Sequence, residues 1–187
     1  MNPKKCLISD FDDTLVKTVP VHARCWQQTL ENIGGVSISW ENIMQNINHS
    51  IEYVLDIHNI KVKQDLFERM KEHKKKIFDT RLHETELNWF LWSVMQSGLF
   101  EKIYLISNSS RENVLKLMAL HGIEYRVFTR IITRDDVKHR KPAPDMGHLI
   151  FNQNPEYQLA DYLYIGDAPV DIEFAKGLQI DWQLVHF

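Results

Sequence analysis

The stretch Leu7-Ile8-Ser9-Asp10-Phe11-Asp12-Asp13-Thr14-Leu15 decides the fold, because an apolar run ends there abruptly in three carboxylates. Such a run predicts a buried strand of a parallel sheet. Open parallel sheets bind ligands at the carboxyl ends of their strands, which is where Asp10 and Asp12 fall. Two carboxylates this close repel each other unless a cation, a proton or a ligand compensates them. On this stretch alone, a solvated Asp-rich turn and a functional site are equally open interpretations.

The composition is typical of a compact soluble protein. The 187 residues are 44% hydrophobic and 25% charged, and no apolar run reaches the length that spans a bilayer. The segment from Met1 to Cys6 leaves no room for a signal peptide, so we expect a cytoplasmic location and no membrane association. The net charge of −3 gives no bias toward nucleic acid. The basic run 71–76 lies in a helical segment, where a solvated helix face is expected.

Strand and helix signals alternate over most of the chain, which predicts parallel βαβ units. After the first strand, further strands are predicted at 103–106, 127–132, 162–165 and 182–185. Helices are predicted over 85–97, over 111–121, from the prolines at 142 and 144 through 151, and over 171–176. Trp89 and Trp92 lie on a strongly apolar helix and are expected in the core. The fold class is therefore α/β, with a Rossmann-like doubly wound parallel sheet.

The pattern from Pro20 to about Phe78 is helical throughout and forms an insertion in this alternation. Gly34-Gly35 is expected to end its first helix, and Ser39 and Ser50 are expected to cap two short helices. The predicted domains are therefore an α/β core at 1–17 and 81–187 and a small all-helical domain at 18–80.

Polar side chains follow three of the predicted strands. They are Asp10 and Asp12, then Ser107 and Asn108, then Asp167 and Asp171. The carboxyl ends of parallel strands face one edge, so we expect these side chains to meet. Four carboxylates at one site require a divalent cation, and oxygen ligands suit Mg²⁺, which often takes a further ligand from a substrate phosphate. Lys141 adds a positive charge that can keep Asp10 ionised and bind a phosphoryl oxygen, which predicts phosphoryl chemistry.

Four ordered motifs resemble those of the haloacid dehalogenase-like (HAD) phosphohydrolase superfamily. They are Asp10-Phe11-Asp12-Asp13-Thr14-Leu15, Ser107-Asn108, Lys141-Pro142, and Gly166-Asp167 with Asp171. The resemblance covers the α/β core nearly end to end, and the insertion is similar in position and size to the family's helical cap. It implies a Mg²⁺-dependent phosphatase that cleaves a small phosphorylated metabolite, a phosphomonoester, through an aspartyl-phosphate intermediate.

The resemblance also implies a role for each motif residue. Asp10 is the nucleophile, and Asp12 is first the general acid and then the general base. The implied metal ligands are a carboxylate oxygen of Asp10, the backbone carbonyl of Asp12, Asp167, and Asp171 either directly or through water. The implied ligands of the transferring phosphoryl group are Ser107, Asn108 and Lys141.

Several alternatives stay open at this point. The chain could be a phosphosugar mutase of the same family, or a non-catalytic binding or regulatory module on the same scaffold. Asp171 and Asn108 could merely cap helices, Asp135 and Asp136 could cap a turn, and Asp13 is expected to be a turn residue. The identity of the phosphorylated substrate, the cap residues that select it, and the oligomeric state are also open.

Overall fold

A computed structural model of the protein describes residues 4–47 and 50–187. The chain divides into a core unit, Met1–Lys17 with Glu86–Phe187, and a helical unit, Thr18–Thr85. The predicted boundary between residues 80 and 81 falls five residues before the observed one. The helical unit extends further because its last long helix continues to Arg81 and a turn of 3₁₀ helix follows it.

The strands and helices are numbered in chain order. The strands are β1 (Cys6–Asp10), β2 (Val16–Lys17), β3 (Glu86–Leu87), β4 (Lys102–Ser107), β5 (Arg130–Thr133), β6 (Tyr162–Gly166) and β7 (Asp181–Leu184). The α-helices are α1 (Val19–Thr29), α2 (Trp40–Asn46), α3 (Ile51–Ile57), α4 (Gln64–Arg81), α5 (Trp89–Gln96), α6 (Arg111–Leu120), α7 (Asp145–Phe151) and α8 (Pro169–Gly177).

The core unit contains a parallel sheet with the strand order β5-β4-β1-β6-β7, which confirms the predicted doubly wound α/β fold. From the central strand β1 the chain builds outward through β4 and β5, then returns to the other side of β1 through β6 and β7. The strand order therefore reverses beside β1, and ligands of such sheets bind outside the carboxyl ends of the strands at this point. Asp10 pairs with Ile106 in the sheet register, and Ser9 pairs with Ile165.

Both faces of the central strands are buried, which explains why their sequences are continuous apolar runs. All five residues of β1 are buried. On one face, Ile8, Tyr104 and Tyr164 belong to a cluster that includes Ile150 of α7 and Phe174 of α8. Burying each large side chain of this kind stabilises the fold by about 1.5–3 kcal/mol.

Three local predictions in the core unit were wrong. The segment predicted as one helix from Thr85 begins with β3, which pairs antiparallel with β2, and α5 starts only after the cap residue Asn88. Trp89 is 68% exposed, whereas Trp92 is buried as predicted. The third long strand begins at residue 130 rather than 127, because Tyr125–Val127 forms a 3₁₀ turn.

The helical unit is built around a separate apolar cluster. Its buried members are Ala23, Leu30, Ile38, Ile43, Ile51, Val54, Leu55, Phe67 and Met70. The predicted caps Ser39 and Ser50 are confirmed, since their hydroxyls accept hydrogen bonds from the N–H groups of Asn42 and Tyr53. Lys75 and Lys76 are exposed on α4, as expected of a solvated face. Within the described part of the chain, no helix combines the length and the apolarity needed to cross a membrane.

Asp136 closes the turn that follows β5 and ties it to α6. Its Oδ2 accepts hydrogen bonds from the Thr133 N–H at 2.7 Å and the Thr133 hydroxyl at 2.9 Å. Arg111 adds two hydrogen bonds to the same carboxylate, at 2.9 and 2.8 Å. Burial alone would raise the pKa of Asp136, but the bonds from Thr133 and Arg111 hold it below its ordinary value. The turn-capping interpretation of this residue is therefore correct.

We predict that Asp136→Asn lowers the free energy of unfolding by about 2 kcal/mol near neutral pH, because hydrogen bonds to a charged group are lost. A lowered pKa stabilises the folded state above the ordinary carboxyl pKa of about 4, and that contribution disappears as the pH falls through the folded-state value. Urea unfolding above and below this pH range should show that the stability difference between the wild type and Asp136→Asn becomes smaller in acid. Asp135→Asn is the neighbouring control, because the asparagine oxygen can still accept the single bond from the Arg111 N–H. An equal loss for both variants would contradict this account.

Candidate active site

Lys141 and Asp10 form a buried ion pair at the carboxyl end of β1. Lys141 Nζ lies 2.6 Å from Asp10 Oδ1, and the two residues are only 4% and 6% exposed. Asp10 is the last residue of β1, whereas Lys141 comes from the loop between β5 and α7. Burial alone would lower the pKa of Lys141, but the Asp10 and Asp171 carboxylates raise it above its ordinary value. A permanent positive charge therefore lies beside Asp10.

Asp171 holds the Lys141 ammonium from a second direction. Its Oδ1 accepts hydrogen bonds from Lys141 Nζ at 2.7 Å and from the Tyr164 hydroxyl at 2.6 Å. Its Oδ2 accepts the backbone N–H groups of Asp167 and Ala168, at 3.1 and 3.0 Å, where α8 begins. Burial would raise the pKa of Asp171, but Lys141 and the hydrogen-bond donors bring it below its ordinary value. The carboxylate thus caps α8 and fixes Lys141 at the same time.

Asp10, Asp167 and Asp171 form an acidic cluster in which one ligand oxygen of each lies within 4.8 Å of the others. The buried Thr14 hydroxyl lies 2.9 Å from Asp167 Oδ1 and 3.4 Å from Asp10 Oδ2. Burial raises the pKa of Asp167 to about 6, and Asp171 adds to this shift. Burial also raises the pKa of Asp10 well above its ordinary value, with Lys141 opposing the change. A cation bound in this cluster would favour the ionised form of both groups.

Asp12 and Ser107 are brought together because β1 and β4 are neighbours. The Ser107 hydroxyl donates to Asp12 Oδ2 at 2.8 Å and accepts the Ser109 N–H at 2.8 Å. The next residue, Asp13, has a φ of +53°, and its N–H donates to the Val16 carbonyl at 2.7 Å. Aspartate tolerates this left-handed conformation better than most residues, which supports the prediction that Asp13 is a turn residue.

Asn108 fixes the backbone of Lys141 through its side-chain amide. Its Nδ2 donates to the Lys141 carbonyl at 3.0 Å, and its Oδ1 accepts the Lys141 N–H at 3.0 Å. The cap of α6 is Ser110, whose hydroxyl accepts the Asn113 N–H at 3.4 Å, so Asn108 is not that cap. Nδ2 carries a second hydrogen, so a phosphate contact from this residue would come from that hydrogen or from the backbone N–H.

All the predicted site residues lie at the carboxyl edge of the sheet in the core unit. They are Asp10, Asp12, Ser107, Asn108, Lys141, Asp167 and Asp171. Two contributors were not predicted, Thr14 and Tyr164. Thr14 stands inside the first motif, but nothing in the motif shows that its hydroxyl reaches Asp167. Alternation along β6 indicates that Tyr164 is buried, but the partners of its hydroxyl come from a loop and a helix that the strand pattern does not describe.

The site combines paired aspartates at the end of the first strand, a buried loop lysine and an acidic cluster at the carboxyl edge of a doubly wound sheet. This is the class of site that the four motifs imply. The chain belongs to the haloacid dehalogenase-like hydrolase family, whose model matches residues 7–185.

The chain is similar to individual relatives at low identity. The chain is 24% identical to a fructose-1-phosphate phosphatase from Escherichia coli, over 94% of this chain and 93% of that protein. It is 22% identical to a phosphoglycolate phosphatase from Vibrio parahaemolyticus, over 92% of this chain and 79% of that protein. A haloacid dehalogenase-like hydrolase structure from Bacteroides fragilis superposes with a TM-score of 0.75 at 26% identity, covering 96% of this chain and 86% of that one.

Gly166 lies where β6 passes closest to the Asp171 side chain. A Cβ at this position would lie 2.5 Å from Asp171 Cβ and Cγ and 2.6 Å from its Oδ2. Asp171 cannot retreat without losing its bonds to Lys141 and to the start of α8. A side chain larger than hydrogen is therefore incompatible with the observed position of Asp171.

We predict that Gly166→Ala lowers the free energy of unfolding by about 1–3 kcal/mol, as other overpacked core substitutions do. Gly177→Ala is the control, because a Cβ there meets nothing within 4 Å and alanine favours the helix. Thermal unfolding of both variants measures the difference. A Gly166→Ala protein as stable as Gly177→Ala would show that Asp171 is free to move.

Proposed function

We propose that the chain is a Mg²⁺-dependent phosphatase that hydrolyses a small phosphorylated metabolite through an aspartyl-phosphate on Asp10. The observation that supports this most directly is the buried Asp10–Lys141 ion pair inside the acidic cluster. The phosphatase names of the Escherichia coli and Vibrio parahaemolyticus relatives point to the same class of reaction. Phosphoryl transfer depends mainly on positioning and charge stabilisation, and these residues supply both.

The donor set of the cluster fits Mg²⁺. All its ligand atoms are carboxylate oxygens, which this hard cation prefers. Burial raises the pKa of Asp10 and of Asp167, so a bound cation would reduce the cost of keeping both carboxylates ionised. We infer that Asp10 and Asp167 bind the ion directly, together with the backbone carbonyl of Asp12. When bound, the ion would neutralise charge that develops on the phosphoryl oxygens.

Asp171 is better suited to an indirect role toward this ion. Both of its oxygens already accept two hydrogen bonds each from the protein. Direct coordination would displace Lys141 or the N–H groups that begin α8. We therefore infer that Asp171 approaches the metal through water and acts mainly by holding Lys141.

The first half of the proposed reaction transfers the phosphoryl group to the enzyme. A carboxylate oxygen of Asp10 attacks phosphorus, and the bond from phosphorus to the leaving oxygen breaks. Asp12 donates its proton to that leaving oxygen, which departs as an alcohol. Lys141 opposes the effect of burial on the pKa of Asp10, so it favours the ionised form that attacks, and it stabilises the charge on the group in transfer.

The second half releases phosphate. Asp12, now a carboxylate, takes a proton from a water molecule, whose oxygen attacks phosphorus. The bond between phosphorus and Asp10 breaks, which regenerates the Asp10 carboxylate and liberates inorganic phosphate. Before substrate binds, the hydrogen bond from Ser107 orients Asp12. A phosphoryl oxygen that binds Ser107 would then replace Asp12 as the acceptor of the single hydroxyl hydrogen.

We predict that Asp10→Asn reduces the Mg²⁺-dependent hydrolysis of p-nitrophenyl phosphate by about 10³-fold or more, because an amide is a poor nucleophile. Asp13→Asn is the matched control: asparagine also tolerates the left-handed backbone, and Asp13 is assigned no role in the reaction. Asp12→Asn should lose about 10²–10⁴-fold in turnover. Because p-nitrophenolate leaves without a proton, this variant should accumulate phosphorylated protein, which intact-mass analysis after an acid quench detects.

Three outcomes would contradict the proposal: no turnover of any phosphomonoester, turnover that survives EDTA, or full activity of Asp10→Asn. The mutase alternative has its own readout. A phosphosugar that changes into an isomer without releasing inorganic phosphate would establish the mutase reaction in place of hydrolysis.

We also predict that Mg²⁺ raises the melting temperature of the wild-type protein and leaves that of Asp167→Asn unchanged. A ligand that binds only the folded state stabilises it, and each kcal/mol shifts the melting temperature of a protein of this size by about 2–4 °C. The measurement needs no substrate, so it separates metal binding from catalysis. An equal shift in both proteins would place the metal elsewhere.

A further inference from the structure

We propose that Tyr164 is a positioning residue of this site, whose hydroxyl sets the direction in which the Lys141 ammonium points at Asp10. No family motif quoted above includes Tyr164. Its kinetic test rests on the proposed phosphatase function, whereas its stability test does not.

A count of hydrogens fixes the direction of each hydrogen bond. An ammonium carries three hydrogens and a tyrosine hydroxyl carries one. Lys141 Nζ lies 2.6 Å from Asp10 Oδ1, 2.7 Å from Asp171 Oδ1 and 3.0 Å from the Tyr164 hydroxyl. The Tyr164 hydroxyl lies 2.6 Å from Asp171 Oδ1, which can only accept. Tyr164 therefore donates to Asp171 and accepts from Lys141, and all three ammonium hydrogens have an acceptor.

The resulting arrangement is a closed triangle of Lys141, Tyr164 and Asp171. Two sides of the triangle fix two of the ammonium hydrogens, so the tetrahedral geometry of the nitrogen directs the third hydrogen toward Asp10. Without the Tyr164 hydroxyl, one ammonium hydrogen loses its acceptor, and only the two carboxylates hold the nitrogen. The flexible Lys141 side chain can then shift the nitrogen about Asp171 Oδ1, which changes the length and direction of its contact with Asp10.

Tyr164 is itself held rigidly, as a positioning residue must be. It lies on β6, paired in register with Ile8 of β1, and is 1% exposed. Its ring centroid lies 5.3 Å from that of Phe174 on α8. Lys141 by contrast belongs to a loop, and a long flexible side chain on a loop depends on external partners for its orientation.

Tyr162 provides an internal comparison for what a buried tyrosine does without such partners. It lies two residues earlier on β6, in the same apolar cluster, and is also 1% exposed. Its hydroxyl has no hydrogen-bond partner among the described residues. The two tyrosines match in strand, face and burial, and differ in that the Tyr164 hydroxyl contacts the ion pair.

The experiment compares Tyr164→Phe with Tyr162→Phe in the full chain. We expect Tyr164→Phe to lower kcat for p-nitrophenyl phosphate about tenfold, equivalent to about 1.4 kcal/mol of transition-state stabilisation, with KM nearly unchanged. Tyr162→Phe should keep wild-type kcat and KM. Wild-type kcat in Tyr164→Phe, or an equal loss in both variants, would overturn the proposal. If Tyr164→Phe does not fold, a fluorinated tyrosine at position 164 tests the weakened acceptor, and an unchanged kcat would again overturn it.

A double-mutant cycle in urea unfolding supplies the test that needs no enzymatic activity. If Tyr164 acts through Lys141, adding Tyr164→Phe to Lys141→Met should shift the unfolding midpoint less than it does in the wild type. Additive shifts would show that the two side chains are independent and would overturn the proposal. If the shifts are coupled but the wild-type protein shows no phosphatase activity, the triangle is supported and only the proposed function is refuted.

Discussion

The buried ion pair between Lys141 and Asp10 is the constraint on which the arrangement of the core unit depends. A lysine that is 4% exposed is tolerated only when its charge has a counterion and its hydrogens have acceptors. Three regular elements meet this requirement: β1 supplies Asp10, β6 supplies Tyr164, and α8 supplies Asp171. The position of β6 beside β1, and the start of α8 directly after β6, place all three acceptors around one nitrogen.

Charge does not balance within this arrangement, because the cluster holds three carboxylates and the one ammonium contacts two of them. Among the described residues, no lysine or arginine contacts the Asp167 carboxylate. Its Oδ1 accepts a hydrogen bond from the Thr14 hydroxyl. The backbone pairing of β1 with β6 holds the like charges close, although they repel. Such concentrations of titratable groups with raised pKa values occur where a protein binds a cation or carries out acid–base chemistry. The repulsion destabilises the folded state, and the burial of apolar side chains against the strands offsets this cost.

The sequence predicts the site well where its residues follow directly from strand ends. Asp10, Ser107 and Asp167 could be placed together because parallel strands end at one edge, and that argument needs only strand order. It does not reveal the partners of Asn108, whose amide pairs with the Lys141 backbone across two loops. It also missed the pairing of β2 with β3, since two-residue strands carry no periodic signal and their partners lie far apart in the chain. Local patterns describe elements, whereas these contacts depend on how the elements meet.

The donors around Asp10 are satisfied within the protein, and this limits how they could bind the phosphoryl group in the proposed reaction. Ser107 donates to Asp12, and Lys141 donates to three acceptors. A phosphoryl oxygen that replaces one of these acceptors gains only the difference between two hydrogen bonds, which is small for oxygens of similar charge. The difference grows as negative charge develops on the oxygens in transfer. Donors that are already engaged therefore contribute little to ground-state binding and more to the transition state, which is the distribution of binding energy that accelerates a reaction.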